Sequence, residues 1–493
     1  MEAAIKLDLE QTISPIDARI YSSFLEHMGR AVYTGVYEPE HPSADDKGLR
    51  QDVLDLIKPL QLPLVRYPGG NFLSGYRWED GIGPKESRPT RLDLAWHALE
   101  PNTFGTDEFM DFCRKAGTEP MLGVNLGTGT PQDAANLVEY CNFPGGSYYS
   151  DLRRKNGHMQ PYDVKLWCLG NEMDGPWQIC AKDAQQYAYV ARESAKMMRL
   201  VDPTIQLVAC GSSNRDMPTF GTWEETVLRT CWEQIDYLSL HQYYACCDGD
   251  IPTLLARNLE MDAFIREVAD ISRKIQSEKQ SEKMVYLSFD EWNVWYHWQL
   301  EKKESPLWTV GRRLEEEEYT FADALAVGCM INTLIRNADT VKIACLAQLV
   351  NVLSAIMTEP GKHAWAQTIY HPFAWASRYG RGTALNARLE CPSYSCQIHD
   401  CVPYLDVSAV CSEDQKQITL FVINRNLTED AQCHIQLKQD GAKILRHVTM
   451  AGYPLQTANT KEQAPVIPRE LAVPEGDLLT ILSASWNMIQ LAV

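Results

Sequence analysis

Between about residues 20 and 380, eight short apolar runs rich in Val, Ile and Leu alternate with longer amphipathic stretches, and this alternation limits the fold more than any other feature of the chain. The runs are ARIYSSFLEH, PLVRYPGG, PMLGVNLG, VKLWCLGNE, IQLVACGSS, DYLSLHQYY, MVYLSFDEW and TVKIACLAQ. Apolar strands separated by amphipathic helices are repeated βα units around a parallel sheet. Eight such strands closing on themselves make an α/β fold of the (β/α)8 TIM barrel type.

The intervening segments carry helix boundaries. Thr106 is the expected cap of a helix beginning Asp107-Glu108, with Gly117 ending it, and Thr130-Pro131 opens another with proline in the first helical position. Asp183 to Leu200 has no breaker until Pro203 and reads as one long outer helix. The acidic run at 315–318 reads as a solvated helix start.

After Gly380 the texture changes to alternating strands, VPYLDVSAV, QITLFVINR, AQCHIQLK, KILRHVTM and LLTILSASW, divided by polar turns. This is an additional all-β sandwich domain. The opening IKLDLEQTISPI alternates in the same way and is expected to cross over and pair with it. The predicted division is a catalytic barrel over 15–380 and a sandwich over 381–493 joined by an N-terminal strand within 1–14. A chain of 493 residues is long enough for both cores.

Charge narrows the partners. With 46 Lys plus Arg against 65 Asp plus Glu, the net charge of −19 repels a phosphate backbone and an anionic membrane surface. The N-terminal stretch lacks a secretory signal and no run is long enough to span a membrane, so a cytoplasmic protein is expected. Many of the 15 cysteines sit in apolar runs, as reduced buried thiols do. Cys391, Cys396 and Cys401 with His399, and Cys246-Cys247 after His241, lack the tight spacing of zinc sites, so no metal or cofactor is expected.

Polar residues interrupt the apolar runs at their C-terminal ends, the barrel face on which catalysis occurs in this fold. They are Glu26 in run one, Arg66 and Asn71 in run two, Asn171-Glu172 in run four, His241 and Tyr243 in run six, Asp290-Glu291 in run seven and Gln348 in run eight. Carboxylates ending strands four and seven face each other across a central pocket, as acid/base plus nucleophile glycoside chemistry requires. Arg66 can hold one carboxylate ionised through bidentate bonds, and Tyr243 can donate another. Each residue also has a purely structural reading: Glu26 and Arg66 as an ion pair, His241 as a core histidine, the asparagines as turn residues. The Trp residues at 96, 177, 292 and 295 read by default as packing, although sugar faces stack on such rings.

FLEHMGRAVYTGVYEP, VRYPGGNF, WCLGNEMDGPWQ, SLHQYY, FDEWNVWY and LAQLVN resemble, in order and spacing, the motifs of the intracellular α-L-arabinofuranosidases of glycoside hydrolase family 51. The resemblance spans essentially the whole chain. It implies a (β/α)8 barrel with a jelly-roll-like sandwich, Glu172 as acid/base and Glu291 as nucleophile of a retaining mechanism. It further implies furanose contacts from Glu26, Asn71, Asn171 and Gln348; of the tryptophans, Trp96 and Trp295 are expected beside the substrate on the stacking argument given above. Arg66, His241 and Tyr243 are implied as support for Glu291. An arabinofuranosyl oligosaccharide substrate and a homo-oligomer, commonly a hexamer, follow from the same resemblance. An endo-β-1,4-glucanase or β-xylosidase of the same superfamily is the alternative, since the two-carboxylate machinery is shared. A silent carbohydrate-binding protein would lack one of the carboxylates or Arg66, and a Schiff-base aldolase needs a lysine at the active end, where Lys342 does not fall. The segment from Trp298 to Glu315 is expected to shape the rim for leaving-group recognition.

Overall fold

The computed structural model describes residues 1–245, 249–296, 306–439, 443–474 and 476–493. All eight predicted runs form strands: Ser22–Phe24, Leu64–Tyr67, Glu119–Val124, Leu166–Leu169, Gln206–Ala209, Tyr237–Tyr244, Tyr286–Val294 and Val341–Leu346. They pair in parallel in sequence order, and Leu346 opposite Ser23 closes the ring. Each is followed by a helix, among them Thr106–Ala116, Pro131–Asn142, Ala184–Val201, Thr222–Cys231, Ile251–Lys279 and Phe321–Arg336. Inside the ring, Phe24, Leu64, Met121, Leu166, Val208 and Ile343 fill the lower layers. Side chains therefore plug the barrel below the site, and only its upper end is open to a ligand.

The caps follow local chemistry. Thr130 accepts from Asp133 N–H, with Pro131 in the first turn, and Asp183 accepts from Gln186 N–H, as the sequence predicts. Gly117 ends its helix at φ +72°, a left-handed turn that glycine adopts without strain. The cap of that helix is Gly105 rather than Thr106, because the Glu108 carboxylate reaches back to Gly105 N–H at 2.9 Å and moves the start one residue upstream.

Residues 315–318 are not a helix start. Glu315 and Glu317 are buried, Glu316 pairs with Arg30 at 2.6 Å, and Glu318 alone is exposed. The helix begins at Phe321, where Thr320 N–H donates to Asp323 at 2.7 Å. Bonds from Arg30 and from the Trp295 indole hold these carboxylates in an irregular segment, with Glu315 at φ +48°, so a dipole argument from their charge alone misplaces them.

The C-terminal part forms two packed sheets. Seven strands make one, with Leu405–Cys411, Gln417–Asn424, Ser485–Ala492 and Lys443–Met450 at its centre, and four make the other. The N-terminal strand Glu2–Leu7 pairs in parallel with Ala431–Leu437, and Thr12–Pro15 pairs with Thr383–Leu385, so the opening segment does cross over. The predicted single strand LLTILSASW is two: Leu478–Ile481 lies in the smaller sheet and Ser485–Ala492 in the larger. Ala484, at φ +42°, turns the chain between them. Ile5, Leu405, Val407, Leu420, Ile435 and Ile489 fill the space between the sheets. Against the barrel, buried Asp406 accepts from Arg425 at 3.0 Å and Asn332 at 2.9 Å, and faces Arg336 at 3.1 Å. This network satisfies polar groups that would otherwise be buried unpaired.

Candidate active site

The open end of the barrel gathers the polar residues that end its strands. Arg66, on the second strand, is fully buried and divides its guanidinium between partners: Nη1 donates to Glu291 Oε1 at 2.7 Å, Nη2 donates to Asn171 Oδ1 at 2.6 Å, and Nε faces Asp290 Oδ2 at 3.5 Å. The expected bidentate grip on Glu291 is thus replaced by a three-way junction, since Asn171 and Asp290 approach the same fork. The second oxygen of Glu291 accepts from Tyr243 OH at 2.9 Å.

His241 stands opposite Glu291 in the ladder between the sixth and seventh strands, beside an irregularity in register after Ser239. Such bulges re-aim side chains. Its Nδ1 lies 3.0 Å from Glu172 Oε1 and 3.6 Å from Glu291 Oε2, and its Nε2 faces Asp290 Oδ1 at 3.5 Å. Expected to support Glu291, His241 is closer to Glu172. Glu172 adopts φ +44° just past its strand, a strained conformation of a kind that clusters at functional sites. Its other oxygen accepts from Trp177 Nε1 at 2.7 Å.

A second group of residues adjoins these. Glu26 Oε1 accepts from Phe72 N–H at 3.0 Å and from Trp96 Nε1 at 2.8 Å, while Gln348 donates to Oε2 at 3.3 Å and accepts from Glu26 N–H at 3.1 Å. Asn71 precedes Phe72, and among the described residues its side chain makes no hydrogen bond. Trp295 meets the Tyr243 ring edge-on at 5.0 Å and donates to Glu315 at 3.0 Å. Residues 298–305 of the predicted rim segment lie outside the described residues. Beyond them, Trp308 N–H donates to His97 O at 2.8 Å and Arg312 donates to Trp96 O at 2.9 Å, which places this stretch against the Trp96 turn.

Burial and charge set the proton affinities. Burial and the neighbouring Glu291 carboxylate hold Glu172 above the usual carboxylate range, against the hydrogen bonds from His241 and Trp177. Burial opposes the charged form of His241, but Glu291, Asp290 and Glu172 outweigh it and raise the imidazole to about 10. Burial and Glu291 push Glu26 up to about 8. Burial disfavours the charged form of Asp290 too, yet Arg66 and His241 hold it below the usual range. The Arg66 guanidinium, despite its burial, is kept charged by Asp290 and Glu291.

One oxygen of each of Glu172 and Glu291 and a ring nitrogen of His241 lie within 4.8 Å of one another, the one group of three acid, His or Cys ligand atoms found among the described residues. Arg66 already occupies Glu291 as its cation. Cys391, Cys396, Cys401 and His399 do not converge in this way, and Cys246-Cys247 lie outside the described residues. The described cysteines are free thiols, most of them buried.

Glu26, Arg66, Asn171, Glu172, His241, Tyr243, Glu291 and Gln348 therefore meet at the open end of the barrel, with Trp96 bonded to Glu26 and Trp295 against Tyr243, whereas Trp292 is fully buried in the core. Asp290 and Trp177 carry more than the sequence assigned them. Their adjacency to Glu291 in FDEW and to Glu172 in GNEMDGPWQ was the available signal.

Known proteins resemble the chain over its whole length. Residues 56–248 match the family profile described as Alpha-L-arabinofuranosidase 1 domain, and residues 290–481 match that described as Alpha-L-arabinofuranosidase C-terminal domain. The chain is 49% identical, over 100% of its length and 99% of the relative's, to an intracellular exo-alpha-(1->5)-L-arabinofuranosidase of Halalkalibacterium halodurans. It is 48% identical, over 99% of both chains, to intracellular exo-alpha-(1->5)-L-arabinofuranosidase 1 of Bacillus subtilis. The solved structure of a family 51 alpha-L-arabinofuranosidase from Bifidobacterium longum superposes with a TM-score of 0.95 at 39% identity, covering 99% of each chain. With identities of this size over the full length, and with the strand-end carboxylates in place, the chain belongs to the α-L-arabinofuranosidases of glycoside hydrolase family 51.

Proposed function

We propose that the protein is a cytoplasmic, retaining, exo-acting hydrolase that releases terminal α-L-arabinofuranosyl groups, with Glu291 as nucleophile and Glu172 as general acid and base. The observation that carries this is the short gap between the carboxylates, an oxygen of each lying within 4.8 Å of the other. Retaining glycosidases hold their carboxylates ~5 to 5.5 Å apart, whereas inverting enzymes leave ~6.5 to 9.5 Å for a water.

In the first step Glu291 attacks the anomeric carbon and forms the ester bond, while the glycosidic bond breaks and its oxygen takes the Glu172 proton. In the second, Glu172 takes a proton from water, which attacks the same carbon and releases Glu291. The charges suit this order. Arg66 and protonated His241 balance Asp290 and an ionised Glu291, which leaves Glu172 free to carry the proton. Asn171, oriented by Arg66, binds the sugar 2-hydroxyl; Glu26, Asn71 and Gln348 hold the rest of the furanose, with Trp96 and Trp295 at its faces. Relatives named for α-(1→5) action favour short α-(1→5)-linked arabino-oligosaccharides as substrates. The catalytic unit is residues 15–380, with 381–493 and the strand within 1–14 as the accessory sandwich, and the assembly is a homo-oligomer, by family resemblance a hexamer.

The test is leaving-group selectivity. Glu291→Ala should lose turnover on every aryl arabinofuranoside. Glu172→Ala should still be glycosylated by substrates with good leaving groups, and with azide should give the α-configured glycosyl azide. An α-azide formed instead by the Glu291 variant would reverse the two roles.

A further inference from the structure

The loop after Glu172 is closed on itself and pinned on several sides. Lys182 N–H donates to Met173 O at 2.8 Å, Asp174 accepts from Ser213 N–H at 3.1 Å, and buried Gln178 donates to Ser74 Oγ. Met173 is fully buried. Trp177, in the same loop, is 47% exposed, yet its indole N–H reaches Glu172 Oε2 at 2.7 Å. Half in water, the ring gains less from burial than a packed tryptophan does, and the bond to the carboxylate is its specific contact.

The indole reaches Glu172 by folding back over Gly175. A Cβ at Gly175 would lie 2.6 Å from Trp177 Cε2, 2.8 Å from Cζ2 and 2.9 Å from Nε1. Pinned as it is, the loop has little freedom to move aside, so any side chain at 175 displaces the ring. We propose that Trp177 is a positioning residue for Glu172, and that Gly175 acts through it by leaving the space the indole occupies. This rests on Glu172 being the acid/base.

The groups facing Glu172 are His241 and Tyr243 from the sixth strand and Glu291 from the seventh, with Asp290 and Arg66 behind them. His241 is shared among three carboxylates, whereas the indole hydrogen bond goes to Glu172 alone. An N–H bond to a carboxylate favours its charged form. Without the indole Glu172 keeps its proton to higher pH, and every formal charge in the cluster is unchanged. Glycosylation uses protonated Glu172, so the alkaline fall in kcat/KM follows its titration and moves upward when the indole is lost.

The experiment measures kcat/KM against pH on an aryl α-L-arabinofuranoside for Trp177→Phe, Gly175→Ala, the double variant and Glu172→Gln, with thermal unfolding of each. The alkaline limb should move up by about one pH unit in Trp177→Phe, the size of one hydrogen bond to a charged group. It should move the same way in Gly175→Ala and no further in the double variant than in Trp177→Phe, because both changes remove one bond. An unmoved limb in Trp177→Phe overturns the proposal, and that variant decides alone if Gly175→Ala does not fold. Additive shifts in the double variant overturn the part given to Gly175. If Glu172→Gln keeps the parent's alkaline limb, it is the acid/base assignment that falls; if it loses the limb while Trp177→Phe leaves it in place, the positioning role falls by itself.

Discussion

Replacing Arg66 by alanine removes the junction on which Glu291, Asn171 and Asp290 converge. Each bond from a charged donor contributes about 1.5–3 kcal/mol. Losing the bonds to Glu291 and Asn171 together therefore costs about 3–6 kcal/mol of transition-state stabilisation, or roughly 10²–10⁴-fold in kcat/KM. Folding suffers separately, because breaking a buried ion pair costs about 3–5 kcal/mol. Arg66→Lys should recover little, since one ammonium cannot serve three partners in fixed directions. The assay compares kcat/KM on 4-nitrophenyl α-L-arabinofuranoside, well below each variant's unfolding temperature, with that of Arg266→Ala. The control arginine is 69% exposed and pairs with Asp262 one turn away, a contact contributing under about 1 kcal/mol. A folded Arg66→Ala enzyme within tenfold of the parent, or no worse than the control, would refute the reasoning.

Glu26 makes stability fall with pH: its folded pKa of about 8 lies above the ordinary 4.5, so between these values the unfolded chain releases a proton that the folded one keeps. Denaturant unfolding of Glu26→Gln should show a shallower decline across that window than the parent, and an identical slope would argue against a buried, protonated Glu26. At the barrel–sandwich contact, Asp406 is held below the usual carboxylate range by Arg336 and Arg425, against the cost of its burial. Its stabilisation is present above the ordinary pKa and is lost as pH falls through the folded one, so Arg425→Met should lower stability by about 3–5 kcal/mol at neutral pH and less in acid. An equal loss at every pH would contradict this. Exhaustive chelation should leave turnover unchanged; a loss restored by zinc would assign a metal to Glu172, His241 and Glu291.

The sequence by itself determined the barrel, because eight apolar runs broken by polar residues at one end record both the burial of the strands and the direction of the catalytic face. It also pointed to Glu172, Glu291 and most of their neighbours as one cluster, since each sits at the C-terminal end of a strand and the closed barrel brings those ends together. What it could not determine is how shared groups are divided. Arg66 serves three partners rather than gripping one, and His241 leans toward Glu172, because partners arriving from the fourth, sixth and seventh strands compete for the same donors. The acidic run at 315–318 and the split of LLTILSASW between two sheets escaped for the same reason. Local propensity counts neighbours along the chain, whereas Arg30 and Trp295, which bind those acids, and the two sheets that part those strands are brought together only by tertiary packing. Trp177 shows the limit most plainly: its motif was visible, but that its ring fills the space left by Gly175 and touches Glu172 follows only from the path of a loop pinned at Met173, Asp174 and Gln178.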